Sequence, residues 1–364
     1  MFEVQRARFA DWLKQHPAFE AELAEFAPLA GGQSSTLFRF TCAGSLQAFV
    51  IRMEPRDRQI FLAPDIVREF RIAEGLASAG VKTAPLLAAE TDADILGAPF
   101  MVMAEVAGRA PLGRPSMHVA GLLTELSAPE RRQLSNAAID ALANVHAADW
   151  RATHTFLADE LGANGGLNRY LDHLSRWYDW TVQGRAFPVT DRALDYLKSA
   201  RASLADATDV LLWGDARPGN ILFGLDQSVA ALLDWEAALI GPRGLDLGYW
   251  LMMDRFHADA IGIARLPGWP DEADTIARYA DRAGMSVPDL DYFIVMGAFF
   301  MATTIIRAAD MGVASGKFAP GTRFGCDNTA TQIIAQQLGL PIPQLSPDFL
   351  AHRGLAAGTK GLAG

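Results

Sequence analysis

Basic residues are in short supply in this chain of 364 residues: 32 Lys and Arg stand against 42 Asp and Glu, for a formal net charge of −10. Binding nucleic acid requires clustered Lys and Arg to neutralise phosphates. No such cluster occurs along the sequence, so no nucleic-acid partner is expected. Cysteine is scarcer. Cys42 and Cys326 are the only two, far apart and without CxxC or Cys/His spacing, which excludes a disulfide framework and a zinc site and leaves both as buried thiols. Long apolar runs are missing as well. The opening MFEVQRARFADWLKQH has no apolar signal core, and the longest run, Tyr292 to Ile306, is broken by Thr303 and Thr304 and is too short to span a bilayer. No membrane association and a cytoplasmic location are the expectations. Repeats and low-complexity segments are also absent, and oligomeric state is not legible.

Half of the residues are apolar, ample for the core of two domains or of one large bilobal unit. In the first third, EFAPLA, TLFRF, LQAFVIRM, APLLAAE and GAPFMVMAEV read as short strands separated by Gly, Pro and polar turns. One helix interrupts them, from Pro64 to Ala79, with Ile66, Phe70, Ala73 and Ala77 at helical spacing and Gly80 as the stop. Beyond Gly108 the pattern turns helical. Ser127-Ala128-Pro129-Glu130 forms a capping box that starts a helix running to about Asp149. Further helices are expected over 168–182, 191–205, 245–256, 271–283, 288–310 and 328–338, and the small, polar stretch 347–364 reads as a loosely held, flexible tail.

One strand hairpin breaks the helical part, and it carries the chemistry. Asp215 lies in a Pro/Gly-containing loop after the apolar run Val210 to Leu212, Asn220 opens the next strand, and Asp234 closes the one after. Folding about the turn Gly224-Leu225-Asp226-Gln227 brings Asn220 and Asp234 roughly opposite, within about 5 Å between Cβ atoms. Oxygen ligands so spaced suit Mg2+, which prefers one or two protein carboxylates together with substrate phosphates and waters. Asp215 is then left free to receive a hydroxyl proton, the layout of a phosphoryl-transfer site. An isolated Asp in a Pro/Gly loop is also a common turn former.

In the first lobe, Glu69 falls on the apolar seam of its own helix and wants a partner. Arg52, at the end of the strand Gln47 to Met53, would form a buried pair with it and aim a guanidinium at a phosphate. The bland alternative is a surface pair of Glu69 with Arg68 or Arg71. Ala30-Gly31-Gly32-Gln33-Ser34-Ser35 could lay backbone N–H groups over a nucleotide's phosphates. It matches neither a Walker A loop nor GxGxxG, and paired glycines between strands are more often plain turns.

Taken in order, these features resemble the parts of a kinase-like phosphotransferase. The chain looks like the aminoglycoside phosphotransferase and choline kinase-like family, whose signature is HGDxxxxN followed by a strand ending in Asp. It is most similar to the branch carrying GGQS, RE, GDxRxGN, DWE and DLxxW, also found fused to some acyl-CoA dehydrogenases. The resemblance runs from about Leu29 to Leu251. It implies a protein-kinase-like two-lobed α+β fold, with a small mixed sheet-plus-helix lobe over 1–105, a larger mainly helical lobe over 106–346 and the tail 347–364. It also implies ATP and Mg2+ as cofactors and the hydroxyl of a small molecule, antibiotic or metabolite, as acceptor. Asp215 would be the base or orienting carboxylate, and Asn220 and Asp234 the Mg2+ ligands. Arg52, paired with Glu69, would contact the ATP phosphates. Gly31, Gly32, Gln33 and Ser34 would cover the nucleotide, Met103, Glu105 and Val106 would line the adenine side, and Asp246 would brace the catalytic loop.

Two residues depart from the family pattern: Trp213 stands where the signature has histidine, and Arg52 where most kinases have lysine. Trp213 leaves a non-catalytic nucleotide-binding protein as an alternative, and the fused relatives suggest a kinase of hydroxyacyl thioesters. His146 reads as a packed helix residue rather than a ligand. Glu236 reads as a second metal-side carboxylate or a strand-end polar residue. Trp177, Trp180, Trp250 and Trp269 read as core rather than as walls of a cation-binding pocket. Asp254, Asp259, Asp271, Glu272 and Asp274 could receive a cationic acceptor, although 271–274 equally suit a helix's first turn.

Overall fold

The computed structural model describes residues 2–29, 35–55, 60–62, 64–157, 160, 165–204 and 208–363. Five antiparallel strands form the first lobe: β1 (Leu23–Leu29), β2 (Thr36–Cys42), β3 (Ala48–Met53), β4 (Leu86–Glu90) and β5 (Phe100–Ala104), in the spatial order β1-β2-β3-β5-β4. The period of two in β2 turns Phe38, Phe40 and Cys42 inward. The helix Ile66–Ser78 packs beside β4 and β5, capped by Asp65, whose carboxylate accepts from the Arg68 N–H. A second helix, Phe2–Gln15, was not expected. It buries Phe9 and Leu13 against Phe26, Phe40 and Phe100, so the N-terminal stretch completes the core of this lobe.

The second lobe is helical around Leu290–Ala314, which starts two residues later than the expected span and runs four residues further. It is long and apolar enough to cross a membrane by length and composition, longer than the sequence run suggested. Its most apolar window is 78% buried inside the protein, which makes it the core helix. It packs closely on Gly244–His257. A Cβ on Gly248 would lie 2.4 Å from Phe293 Cβ, and one on Gly297 would lie 3.1 Å from Tyr249 Cα, so glycine sets the spacing between these helices and with it the position of Tyr249. The expected capping box at Ser127 and Glu130 is present at the start of Ala128–Ala147. Trp177, Trp250 and Trp269 are core residues, and Trp180 is half-buried under Arg307. Cys42 is buried and Cys326 half-buried, and both are free thiols.

The loose tail is corrected. Pro347–Arg353 is a helix that buries Phe349 and Leu350, with Ser346 capping it through the Phe349 N–H, and the Gln332 amide donates to the Lys360 carbonyl further on. Apolar anchors at 349 and 350, and an amide ready to serve the backbone beyond them, outweigh the small and polar composition.

Between the helices lie β6 (Asp209–Leu212) paired with β9 (Leu239–Pro242), and β7 (Ile221–Phe223) paired with β8 (Val229–Leu232). The first lobe reaches this hairpin at two places. The Leu232 N–H donates to the Lys82 carbonyl, and Arg109 exchanges both backbone hydrogen bonds with Phe223 at 2.9 Å, so the connection after β5 runs along the hairpin.

Candidate functional site

The catalytic loop begins where β6 ends. Gly214 has φ 84°, and a Cβ there would meet the Ala237 carbonyl oxygen at 2.1 Å, so only glycine lets the loop turn this close to the segment after β8. Asp246, from the first turn of Gly244–His257, accepts from the N–H groups of Trp213 at 2.6 Å and Gly214 at 2.8 Å. Buried at 1% exposure, it also meets His146 Nε2 at 3.0 Å, while His146 Nδ1 lies 2.5 Å from the Tyr279 hydroxyl. His146 is thus more than packing: it orients the carboxylate that holds the loop. Its sequence signal was slight, a lone histidine on an apolar helix face.

Trp213 is fully buried, and its indole N–H donates to the Leu233 carbonyl at 2.8 Å. This bond ties the catalytic loop to the residue before Asp234. The indole is therefore a brace, in the position where the family signature has an imidazole.

The expectation that Asp215 stands free is corrected. Its carboxylate accepts from Tyr249 OH at 2.7 Å, Asn220 Nδ2 at 2.7 Å, and Arg217 Nε at 3.1 Å to each oxygen. A carboxylate has about four lone-pair sites, so these donors fill it. Burial, reinforced by the Asp215 charge, raises the Tyr249 hydroxyl well above its ordinary value and keeps it a donor. Arg217 and Tyr249 were missed in the sequence. One stands two residues after Asp215 in GDARPGN and the other one turn after Asp246 in LDLGYW.

Asn220 ends a short 3-10 turn, and the Leu233 N–H donates to its carbonyl, so the hairpin sets it beside Leu233, one residue from Asp234. Its amide nitrogen serves Asp215, and among the described residues nothing donates to its side-chain oxygen. Asp234 has φ 67°, a left-handed conformation that aspartate tolerates better than most residues and that turns its carboxylate out of the strand path.

Arg52 and Glu69 form the buried pair, with Nε 3.1 Å from Oε2, and the surface alternative falls: Arg68 instead engages Glu160 and the Ala238 carbonyl. Arg52 does more than the sequence showed, because Nη2 lies 2.8 Å from both Asp234 and Glu236. Burial opposes its charge, but the three carboxylates outweigh burial and raise its affinity for the proton. Burial pushes Glu69 up to about 7 against the pull of Arg52, since one guanidinium cannot neutralise three carboxylates.

Those oxygen donors and their surplus negative charge fit a hard divalent cation. Among the described residues, no group of three His, Cys, Asp or Glu side chains could hold a metal unaided. Mg2+ does not need one, because it keeps waters and substrate phosphates in its shell. Of the residues expected on the adenine side, Met103 lies in β5, Glu105 and Val106 begin the connection, and the Glu105 carboxylate is turned to Arg39 at 2.9 and 3.0 Å. Gly31, Gly32, Gln33 and Ser34 lie outside the described residues.

The acids considered for a cationic acceptor are occupied. Asp254 and Asp259 pair with Arg265, Glu272 with Arg255 and Asp274 with Arg132, while Asp271 caps its helix through the Asp274 N–H.

Residues 25–281 match the phosphotransferase enzyme family. Among curated proteins, mouse acyl-CoA dehydrogenase family member 10 is 29% identical over 94% of this chain and 30% of its own length. Mouse member 11 is 27% identical over 80% and 37%, so the chain spans about a third of these relatives. Among solved structures, a proposed aminoglycoside phosphotransferase of Ralstonia eutropha aligns over 92% of this chain and 98% of its own, at 24% identity and a TM-score of 0.67. The aminoglycoside phosphotransferase APH(4)-Ia, in a ternary complex with ADP and hygromycin B, covers 87% and 94% at 14% identity and a TM-score of 0.57. At those identities the likeness shows the two-lobed kinase-like fold.

Proposed function

The chain belongs to the phosphotransferase enzyme family, and from that premise we propose an ATP- and Mg2+-dependent kinase acting on a hydroxyl of a small molecule. The observation that carries this reading is the convergence on one hairpin of Asp215, Asn220 and Asp234, with Asn220 bonded to Asp215 and Asp234 tied to Arg52. Asp215 orients the acceptor hydroxyl and takes its proton. The hydroxyl oxygen forms the new bond to the gamma-phosphorus, the bond to the beta–gamma bridging oxygen breaks, and ADP leaves with that oxygen. The bifurcated 3.1 Å contacts of Arg217 are the longest on Asp215 and the ones to give way when the hydroxyl arrives. Asp234 and the Asn220 side-chain oxygen would hold Mg2+, which would supply charge neutralisation on the phosphates, and the Arg52 guanidinium would add positive charge beside them. Rate enhancement then comes from positioning and fixed charge.

Trp213 supports an active protein over a non-catalytic one, because its N–H bond to Leu233 supplies the brace that the departure from histidine put in question. In an ADP-release assay over a panel of hydroxylated acceptors, Asp215→Asn should lower turnover by about a thousandfold or more while calorimetric ATP affinity stays nearly unchanged. Equal turnover in the two proteins removes Asp215 from its role. The names of the curated relatives put a hydroxyacyl thioester on that panel.

A further inference from the structure

Cations lead away from Asp215 on the side of Arg217. The loop at Gly113 passes against this arginine: a Cβ on Gly113 would lie 3.9 Å from Arg217 Nη1, with nothing else within 4 Å. The Gly113 carbonyl accepts from Arg353 Nη1 at 2.9 Å. Arg353 is only 9% exposed, its Nη2 lies 3.3 Å from His257 Nδ1, and its buried Nε has no partner. Above it, His352 sits between Arg114 Nη1 at 3.0 Å and Lys317 Nζ at 3.1 Å.

Arginine this deep is rarely found without an acid. Among the described residues, no carboxylate lies within ion-pair distance of Arg114, Lys317 or Arg353, although acids outnumber bases in the chain as a whole. Burial and the neighbouring Arg114 lower Arg353 to about 10, and burial with Lys317, Arg114 and Arg353 lowers His352 to about 4, so the imidazole stays neutral between the two cations. His257 is held neutral in the same way. The acid on the helix of His352 and Arg353, Asp348, accepts from the Thr322 hydroxyl, and the five acids suited to a cationic acceptor are spent elsewhere.

We propose that the acceptor is an anion: while its hydroxyl meets Asp215, a carboxylate or phosphate group on the same molecule is held by Arg114, Lys317 and Arg353, with Arg217 at the reacting end. This rests on the kinase reading and narrows its substrate class. It also gives Arg217 a task, since the approaching anion draws the guanidinium off Asp215 and frees the lone pair that the hydroxyl needs.

Two measurements test it. In the first, gluconate, a sugar phosphate, glucose, glucosamine and hygromycin B are compared as acceptors by ADP release. The anionic members should be preferred, and a double variant Arg114→Ala, Lys317→Ala should raise their KM by about tenfold or more, with Lys317→Arg restoring most of the loss. In the second, ADP-saturated protein is titrated calorimetrically with gluconate and with inorganic phosphate, whose difference separates a carboxylate from a phosphate site. Binding should weaken by about tenfold in the double variant while ADP affinity holds. Preference for glucose or glucosamine, an unmoved KM, or no anion binding to the ADP-bound protein overturns the proposal. Anion binding that the double variant loses, with no acceptor phosphorylated, upholds the anion site but overturns its role in holding an acceptor, together with the kinase reading.

Discussion

The two sides of Asp215 carry opposite imbalances. Toward the first lobe, Glu69, Asp234 and Glu236 all engage the guanidinium of Arg52, an arrangement rich in negative charge. Toward the C-terminal helix, Arg114, Lys317 and Arg353 surround two neutral histidines, and among the described residues none of the three cations has an acid within ion-pair distance. Many other charges are paired, among them Arg278 with Asp140 and Arg185 with Asp310, and the buried Arg131 is met by the Leu123 and Pro267 carbonyls. Uncompensated charge costs free energy where it is buried, as at Glu69 and Arg353, and the two flanks are where the proposed cation and the proposed anion would bind.

The largest expected effect strikes the acidic side. Arg52→Ala removes the ion-pair partner of the buried Glu69 and one partner each of Asp234 and Glu236, and should cost about 3–5 kcal/mol of stability. Adding Mg2+ should then raise the melting temperature of the variant more than that of the parent. A variant as stable as the parent, or one indifferent to Mg2+, breaks the comparison on this side.

A smaller effect is expected at the brace between the two sides. Trp213→Phe removes the indole N–H from the Leu233 carbonyl in a fully buried setting and should cost about 1–3 kcal/mol, with a drop in kcat and little change in the KM for ATP. Urea unfolding and steady-state kinetics report the two quantities. An unchanged kcat would reduce Trp213 to packing.

The finest distinction is in pH. Folded Glu69 holds its proton up to about 7, against 4.5 for the free group, so the folded state binds more protons than the unfolded one in between and stability falls as pH rises through that window. Folded His352 refuses a proton until about 4, against 6.5 for the free group, so its contribution is lost as pH falls from about 6.5 toward 4. Melting temperatures of Glu69→Gln and His352→Gln across this range should flatten opposite slopes. Slopes of the same sign would show that the two regions do not differ in kind.

The acidic side was largely readable from the chain because its parts announce themselves locally. Glu69 interrupts an apolar seam, Arg52 ends a strand in reach of that helix, and Asp215, Asn220 and Asp234 sit around one hairpin. Reading them as separate roles missed that Arg52 would take Asp234 and Glu236 as well, and that Tyr249, Asn220 and Arg217 would fill Asp215. His146 was underrated because only the approach of Asp246 and Tyr279 from other helices gives its ring two partners. The N-terminal helix, weakly patterned, owes its place to the phenylalanines of the sheet beneath it.

By itself the sequence determined the two-lobed division, the strands and most helices of each lobe, and the catalytic hairpin. Period, capping and turn chemistry act over a few residues and survive without knowledge of the rest. Only tertiary structure decided which charges meet. Arg114 and His352 are 238 positions apart, and no local pattern foretells that a loop, the end of the core helix and a helix read as loose tail converge into a basic surface on an acidic protein. Coulomb energy depends on distance in space and on burial, and neither is written along the chain.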